Sequence, residues 1–128
     1  MMNDLIEKDE IMNKGNWYYN YVYIEDDEYE RSDWKRNAKK KNINALILTS
    51  TKEFEMYADN ISKNKTLIYL DCDLGEGELR GDEFAEKLHA EGYLNLYMST
   101  SYDAEEFAHL PWLKYAGKGC PFEKVNSG

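Results

Sequence analysis

Hydrophobic and polar positions follow two patterns along this chain, short apolar runs and longer helical stripes. Ala45–Leu48 and Leu67–Leu70 are continuous apolar runs bounded by polar turn residues. That pattern marks strands buried on both faces, as in a parallel sheet. Trp17–Ile24 is dense in aromatic and β-branched residues and predicts a strand before them. Leu94–Met98 and Leu113–Ala116 predict a fourth and a fifth. Between the strands the period lengthens. Tyr29–Lys41 carries Tyr29, Trp34 and Ala38 as a narrow stripe among charges and closes on three lysines, which suit the negative end of a helix dipole. Ser50-Thr-Lys-Glu53 has capping-box spacing and predicts a helix through about Ile61, with Phe54, Tyr57, Ala58 and Ile61 inward. Asp82–Glu91 predicts a third helix burying Phe84, Ala85 and Leu88 and stopped by Gly92. Asp103-Ala-Glu-Glu106 predicts a short one that Pro111 interrupts. The order β-α-β-α-β-α-β-α-β, with connections of about 10–20 residues, calls for an α/β fold: a five-stranded parallel sheet wrapped by helices.

Length and composition narrow the reading. The 128 residues suit one domain with a core, expected over 15–122, with 1–14 a polar arm or short amphipathic helix and 123–128 a loose tail. A net charge of −9 argues against non-specific nucleic-acid binding and is compatible with a divalent cation or a basic protein partner. Cys72 and Cys120 lack metal-type spacing and predict two reduced thiols. With no signal-peptide pattern and no apolar run of membrane length, the expected setting is cytoplasmic, away from the membrane. His89 and His109 read as helix-surface residues, and the 11 tyrosines as packing.

Candidate chemistry gathers at the ends of the predicted strands. Leu67–Leu70 runs into Asp71, and Asp73 follows before Gly75 and Gly77 open the backbone. Parallel sheets place ligand and catalytic groups beyond the carboxyl ends of their strands. The first strand delivers Glu25, Asp26 and Asp27 to that edge, the fourth Thr100, and the fifth Lys118. Several carboxylates at one place cannot all stay ionised without a cation, so an ion of the Mg²⁺ type is expected among them. With it bound, Asp71 could attack a phosphoryl group as a carboxylate nucleophile, and the Thr100 hydroxyl and Lys118 ammonium could help neutralise the phosphoryl oxygens.

Four segments, Tyr23-Ile-Glu-Asp-Asp-Glu28, Leu67-Ile-Tyr-Leu-Asp-Cys-Asp-Leu-Gly75, Leu94-Asn-Leu-Tyr-Met-Ser-Thr100 and Gly117-Lys118, together resemble the receiver domain of two-component response regulators. The resemblance spans about Trp17 to Phe122. It implies a three-layer, doubly wound, flavodoxin-like receiver fold and a phosphoacceptor rather than an enzyme, self-phosphorylating and slowly losing its phosphoryl group. By resemblance Asp71 takes the phosphoryl group, Glu25 and Asp26 hold Mg²⁺, and Asp73 gives the ion its backbone carbonyl. Asp27 stays open as an alternative ligand, because the register of the acidic run is uncertain by one residue. Thr100 resembles the switch hydroxyl and Lys118 the lysine that pairs with the phosphoryl group. The implied partners are a histidine kinase or phosphotransfer protein as donor and a separate downstream protein. The chain departs from the pattern after Lys118, where Gly119-Cys120 precede Pro121. The loop after Asp71 is long, the segment from Thr100 to Lys118 is short, and the last helix is missing. One side of the sheet is then expected to be covered by the 1–14 arm or by a second copy of the chain, a homodimer.

Two other classes compete. A pseudo-receiver would keep the fold as a protein-interaction module and never be phosphorylated. Asp71-Cys-Asp73 also resembles the nucleophile motif of haloacid-dehalogenase-type phosphatases, but that family expects further acids downstream of its lysine, where this chain has nothing suitable. An EF-hand loop fails on glycine position and on its final ligand.

Overall fold

In the computed structural model, residues 17–122 are described. The expectations for 1–14 and 123–128 fall outside them. The elements run β1 (Tyr21–Ile24), α1 (Glu28–Lys41), β2 (Ala45–Leu48), α2 (Thr51–Met56), a 3₁₀ turn (Ala58–Asn60), β3 (Leu67–Leu70), α3 (Gly81–Ala90), β4 (Leu96–Met98), a second 3₁₀ turn (Ala104–Phe107) and β5 (Lys114–Tyr115). All strands are parallel, in the order β2-β1-β3-β4-β5. This is the flavodoxin-like α/β arrangement expected, with three α-helices, and none follows β5 among the described residues. None of the described helices is long and apolar enough to cross a membrane. No disulfide joins Cys72 and Cys120.

Alternation along the strands sends side chains into two cores. Val22, Ile24, Ile68, Leu70, Leu96 and Met98 pack with Phe54 of α2 and with Phe84, Ala85 and Leu88 of α3. The opposite face is aromatic. Tyr23 stacks on Trp34 of α1 with ring centroids 4.2 Å apart, and Tyr69 stacks on Tyr97 at 4.5 Å. Beyond β5 the chain turns back onto this face, where Phe122 is buried edge-on against Tyr21 and Trp34.

Several elements differ from expectation for local reasons. The Trp17–Ile24 run enters the ladder only at Tyr21. β4 starts at Leu96, because the Leu94 amide bonds to the Lys63 carbonyl and its side chain faces solvent. β5 shrinks to two exposed residues at the sheet edge. Tyr29 points outward, since only Trp34 and Ala38, four residues apart, share the buried face of α1. The helix foreseen through Ile61 stops at Met56. Its end tightens into three-residue hydrogen bonds, Tyr57 N to Phe54 O and Asn60 N to Tyr57 O, and the Asn60 carbonyl accepts from Tyr19 N. Ser50 makes no side-chain cap; Glu53 instead reaches back to Thr49 N at 2.7 Å. His89 is exposed on α3, as expected, and its ring lies flat on Trp112, 4.0 Å away.

Trp34 is fully buried and central to the aromatic layer. Trp34→Ala is expected to cost about 3–5 kcal/mol, read as a lower urea midpoint. A loss below about 1 kcal/mol would show that α1 is not held through this residue.

Candidate functional site

The strand order changes direction at β1. From it the chain winds outward to β2 on one side, then returns to β3 on the other. A crevice opens at such a switch point beyond the strand ends. Ile24 pairs with Leu48 and Leu70, and Leu70 with Met98, so the strands finish level. One further row of hydrogen bonds crosses the sheet past them: Glu25 N to Leu48 O (3.0 Å), Asp71 N to Ile24 O (3.0 Å), Ser99 N to Leu70 O (2.8 Å) and Ala116 N to Met98 O (2.8 Å). Glu25 and Asp71 are therefore adjacent residues fixed at the backbone. The loop after Asp71 returns at Gly81, whose amide donates to Cys72 O at 2.8 Å. A β-carbon at Gly81 would fall 1.9 Å from the Asp71 carbonyl oxygen, so only glycine permits this approach.

Lys118 closes the site from beyond β5. Its Nζ donates to Glu25 Oε1 and to Asp71 Oδ1, both at 2.6 Å, across 93 and 47 residues of sequence. Glu25 is 1% exposed and Asp71 6%. Glu25 is held further by the Tyr23 phenol, which donates to Oε1 at 2.7 Å, and by the Asp27 amide to Oε2 at 3.2 Å. Arg31 Nη1 caps the Glu25 backbone carbonyl at 2.9 Å. A cavity of about 410 Å³ opens beside Lys118, lined also by Asp33, Asn37, Gly119 and Cys120.

Charge is crowded here. Burial, and then the neighbouring Glu25, push the Asp71 carboxyl up to about 6, against the opposing pull of Lys118. Asp26 is raised by desolvation and by Glu25. On Lys118 burial acts downward, but its bonds to Asp71 and Glu25 outweigh that and raise it. Glu25, Asp26 and Asp71 each present an oxygen within 4.8 Å of the others. One ammonium against three carboxylates leaves two negative charges in excess, and all donors are hard oxygens. The set fits a divalent cation of the Mg²⁺ type, which these three residues would hold.

Other candidates fall around this centre. Asp27 is a helix cap: its Oδ1 accepts from Tyr29 N at 3.0 Å, and it is not among the three clustered carboxylates. Of the three acids in that run, Glu25 and Asp26 are the two that lie in the cluster with Asp71. The Asp73 side chain accepts from Tyr102 Oη at 3.1 Å. Thr100 is buried past β4, with its hydroxyl accepting from Tyr102 N at 3.2 Å. Tyr115 Oη donates to Tyr102 O at 2.7 Å and so holds the loop that carries Thr100. Tyr23, Tyr102, Tyr115 and Gly81 were not foreseen as site residues. For Tyr23 a signal existed, because side chains two residues apart on a strand share a face, which puts its phenol beside Glu25.

No family model, no curated protein and no solved structure matches this chain.

Two outcomes test this geometry. Gly81→Ala forces the loop off Asp71 and is expected to lower stability by about 1–3 kcal/mol, read by thermal unfolding. The second is a pH effect. The Asp71 carboxyl titrates near 6 in the fold, against 3.8 as its ordinary value. As pH rises through that window the unfolded chain releases the proton first, so folded stability falls and stays lower above it. Without divalent cations, Asp71→Asn should then be more stable than the parent at pH 7.5 by about 1–3 kcal/mol. The gain should vanish near pH 4; a gain independent of pH would refute the assignment.

Proposed function

We propose that this chain is a receiver-like phosphoacceptor domain in which Asp71 takes a phosphoryl group from a phosphohistidine donor. The observation that carries this reading is Lys118 bridging Asp71 and Glu25, a nucleophile-and-cation pair assembled from the ends of β1, β3 and β5. A buried carboxylate aligned by an ammonium is suited to in-line attack on phosphorus. An Asp71 oxygen forms the bond to phosphorus as the phosphorus–nitrogen bond of the donor breaks, and the imidazole leaves with that electron pair. Lys118 stays within reach of the new phosphoryl oxygens, and the Thr100 hydroxyl lies at the neighbouring strand end to follow them. A Mg²⁺ held by Glu25, Asp26 and Asp71, with the Asp73 carbonyl as a further donor, would supply charge neutralisation for the transferring group. Lys118 then redistributes its bonds between Glu25 and the phosphoryl group. The loop from Ser99 to Tyr102, tied to β5 by Tyr115, is the element placed to pass that change to a protein partner.

The test is incubation with acetyl phosphate and Mg²⁺, followed by intact mass spectrometry. The expected product is one added phosphoryl group, absent in Asp71→Asn and without Mg²⁺, and more than tenfold slower to form in Lys118→Met. Parent protein of unchanged mass would overturn the phosphoacceptor reading and leave a non-phosphorylated interaction module. Repeated turnover of a small phosphomonoester would point to a phosphatase instead.

A further inference from the structure

The hydrogen bonds around Glu25 limit how it can bind a cation. A carboxylate offers about four lone-pair positions over its two oxygens. Oε1 accepts from Tyr23 Oη at 2.7 Å and from Lys118 Nζ at 2.6 Å, and Oε2 accepts from Asp27 N at 3.2 Å. Three positions are filled, and the one that remains is on Oε2. Bidentate coordination needs both oxygens turned to the ion, and Oε1 is occupied.

The two donors on Oε1 differ in how firmly they sit. The Lys118 side chain is 31% exposed and has a flexible stem, but its second bond to Asp71 keeps it beside Glu25. Tyr23 has less freedom still. It is 0% exposed, with its ring stacked on Trp34 at an interplanar angle of 16°. Turning its hydroxyl from Glu25 would strand a buried donor, which is costly.

We propose that Tyr23 is a positioning residue that sets cation selectivity, by holding Glu25 to one-oxygen coordination. The inference rests on the reading of Glu25, Asp26 and Asp71 as a divalent-cation site. Mg²⁺ takes single carboxylate oxygens in a tight octahedron and keeps several waters, whereas Ca²⁺ takes six to eight oxygens and uses bidentate carboxylates. A site whose most buried carboxylate offers one oxygen favours the smaller ion. Removing the phenol releases Oε1 and admits the larger.

Isothermal titration calorimetry with MgCl₂ and with CaCl₂ on the full chain tests this. The parent is expected to prefer Mg²⁺, and in Tyr23→Phe that preference should fall by about tenfold or more. Tyr97→Phe, which removes a phenol from the same face away from the cluster, should change neither affinity. A thermal melt establishes that Tyr23→Phe is folded. If it is not, Glu25→Gln gives the comparison, since Gln offers one oxygen in any case. Equal weakening of both ions supports one-oxygen coordination in the parent, and a greater loss for Ca²⁺ overturns it. A parent that binds Mg²⁺ while Tyr23→Phe keeps the same Mg²⁺-to-Ca²⁺ ratio overturns the role of Tyr23 alone. A parent that binds neither ion overturns the cation site and this inference with it.

Discussion

Two carboxylates sit almost fully buried at neighbouring strand ends, and the ammonium between them is what makes that arrangement tolerable. Desolvating one ionised carboxylate costs several kcal/mol, and two side by side add their mutual repulsion. Lys118 offsets both at once through Glu25 and Asp71. The bond also fixes geometry. β5 is only two residues long, too short to hold its place by ladder hydrogen bonds alone. The chain beyond it is tied down by Lys118 at one point and by Ser99 Oγ donating to Gly117 O at 3.0 Å at another. The charge cluster that suits the site for chemistry thus also anchors the last strand.

That compensation is partial, and its incompleteness has chemical value. Asp71 is left with a carboxyl raised well above the ordinary range, a group whose negative charge is poorly satisfied in the resting fold. Such a carboxylate is readier to accept a cation or an electrophile than one already saturated with donors. Glu25, by contrast, is gripped on three sides and keeps one position on Oε2. Two acids one strand apart thus meet different surroundings.

Much of this could be read along the chain. The apolar runs 45–48 and 67–70 state their strands directly, and the level ends of a parallel sheet follow from topology, which brings Glu25, Asp71 and Lys118 to one edge on sequence grounds alone. What stayed hidden lies at two scales. Locally, Glu25, Asp26 and Asp27 are alike in type, and only the start of α1, which takes Asp27 as its cap, separates them. At long range, the 3₁₀ turn after α2 and the glycine at position 81 answer to partners far away in sequence, Tyr19 and Asp71, that no window of neighbouring residues contains. Tyr23 was legible as packing and was packing, but its hydroxyl had a second occupation at the edge of the layer.

The stack of Tyr23 on Trp34 also gives the molecule an optical property. Of three tryptophans, Trp17 is 41% exposed and Trp112 lies against an imidazole, while Trp34 is fully buried with the rings of Tyr21, Tyr23, Tyr69 and Phe122 against it. Its indole stands one phenol away from the Glu25 carboxylate. Its surroundings are therefore dry and rigid, and one stacking contact and one hydrogen bond, both through Tyr23, separate it from the acidic centre, so its emission reports on packing beside that centre.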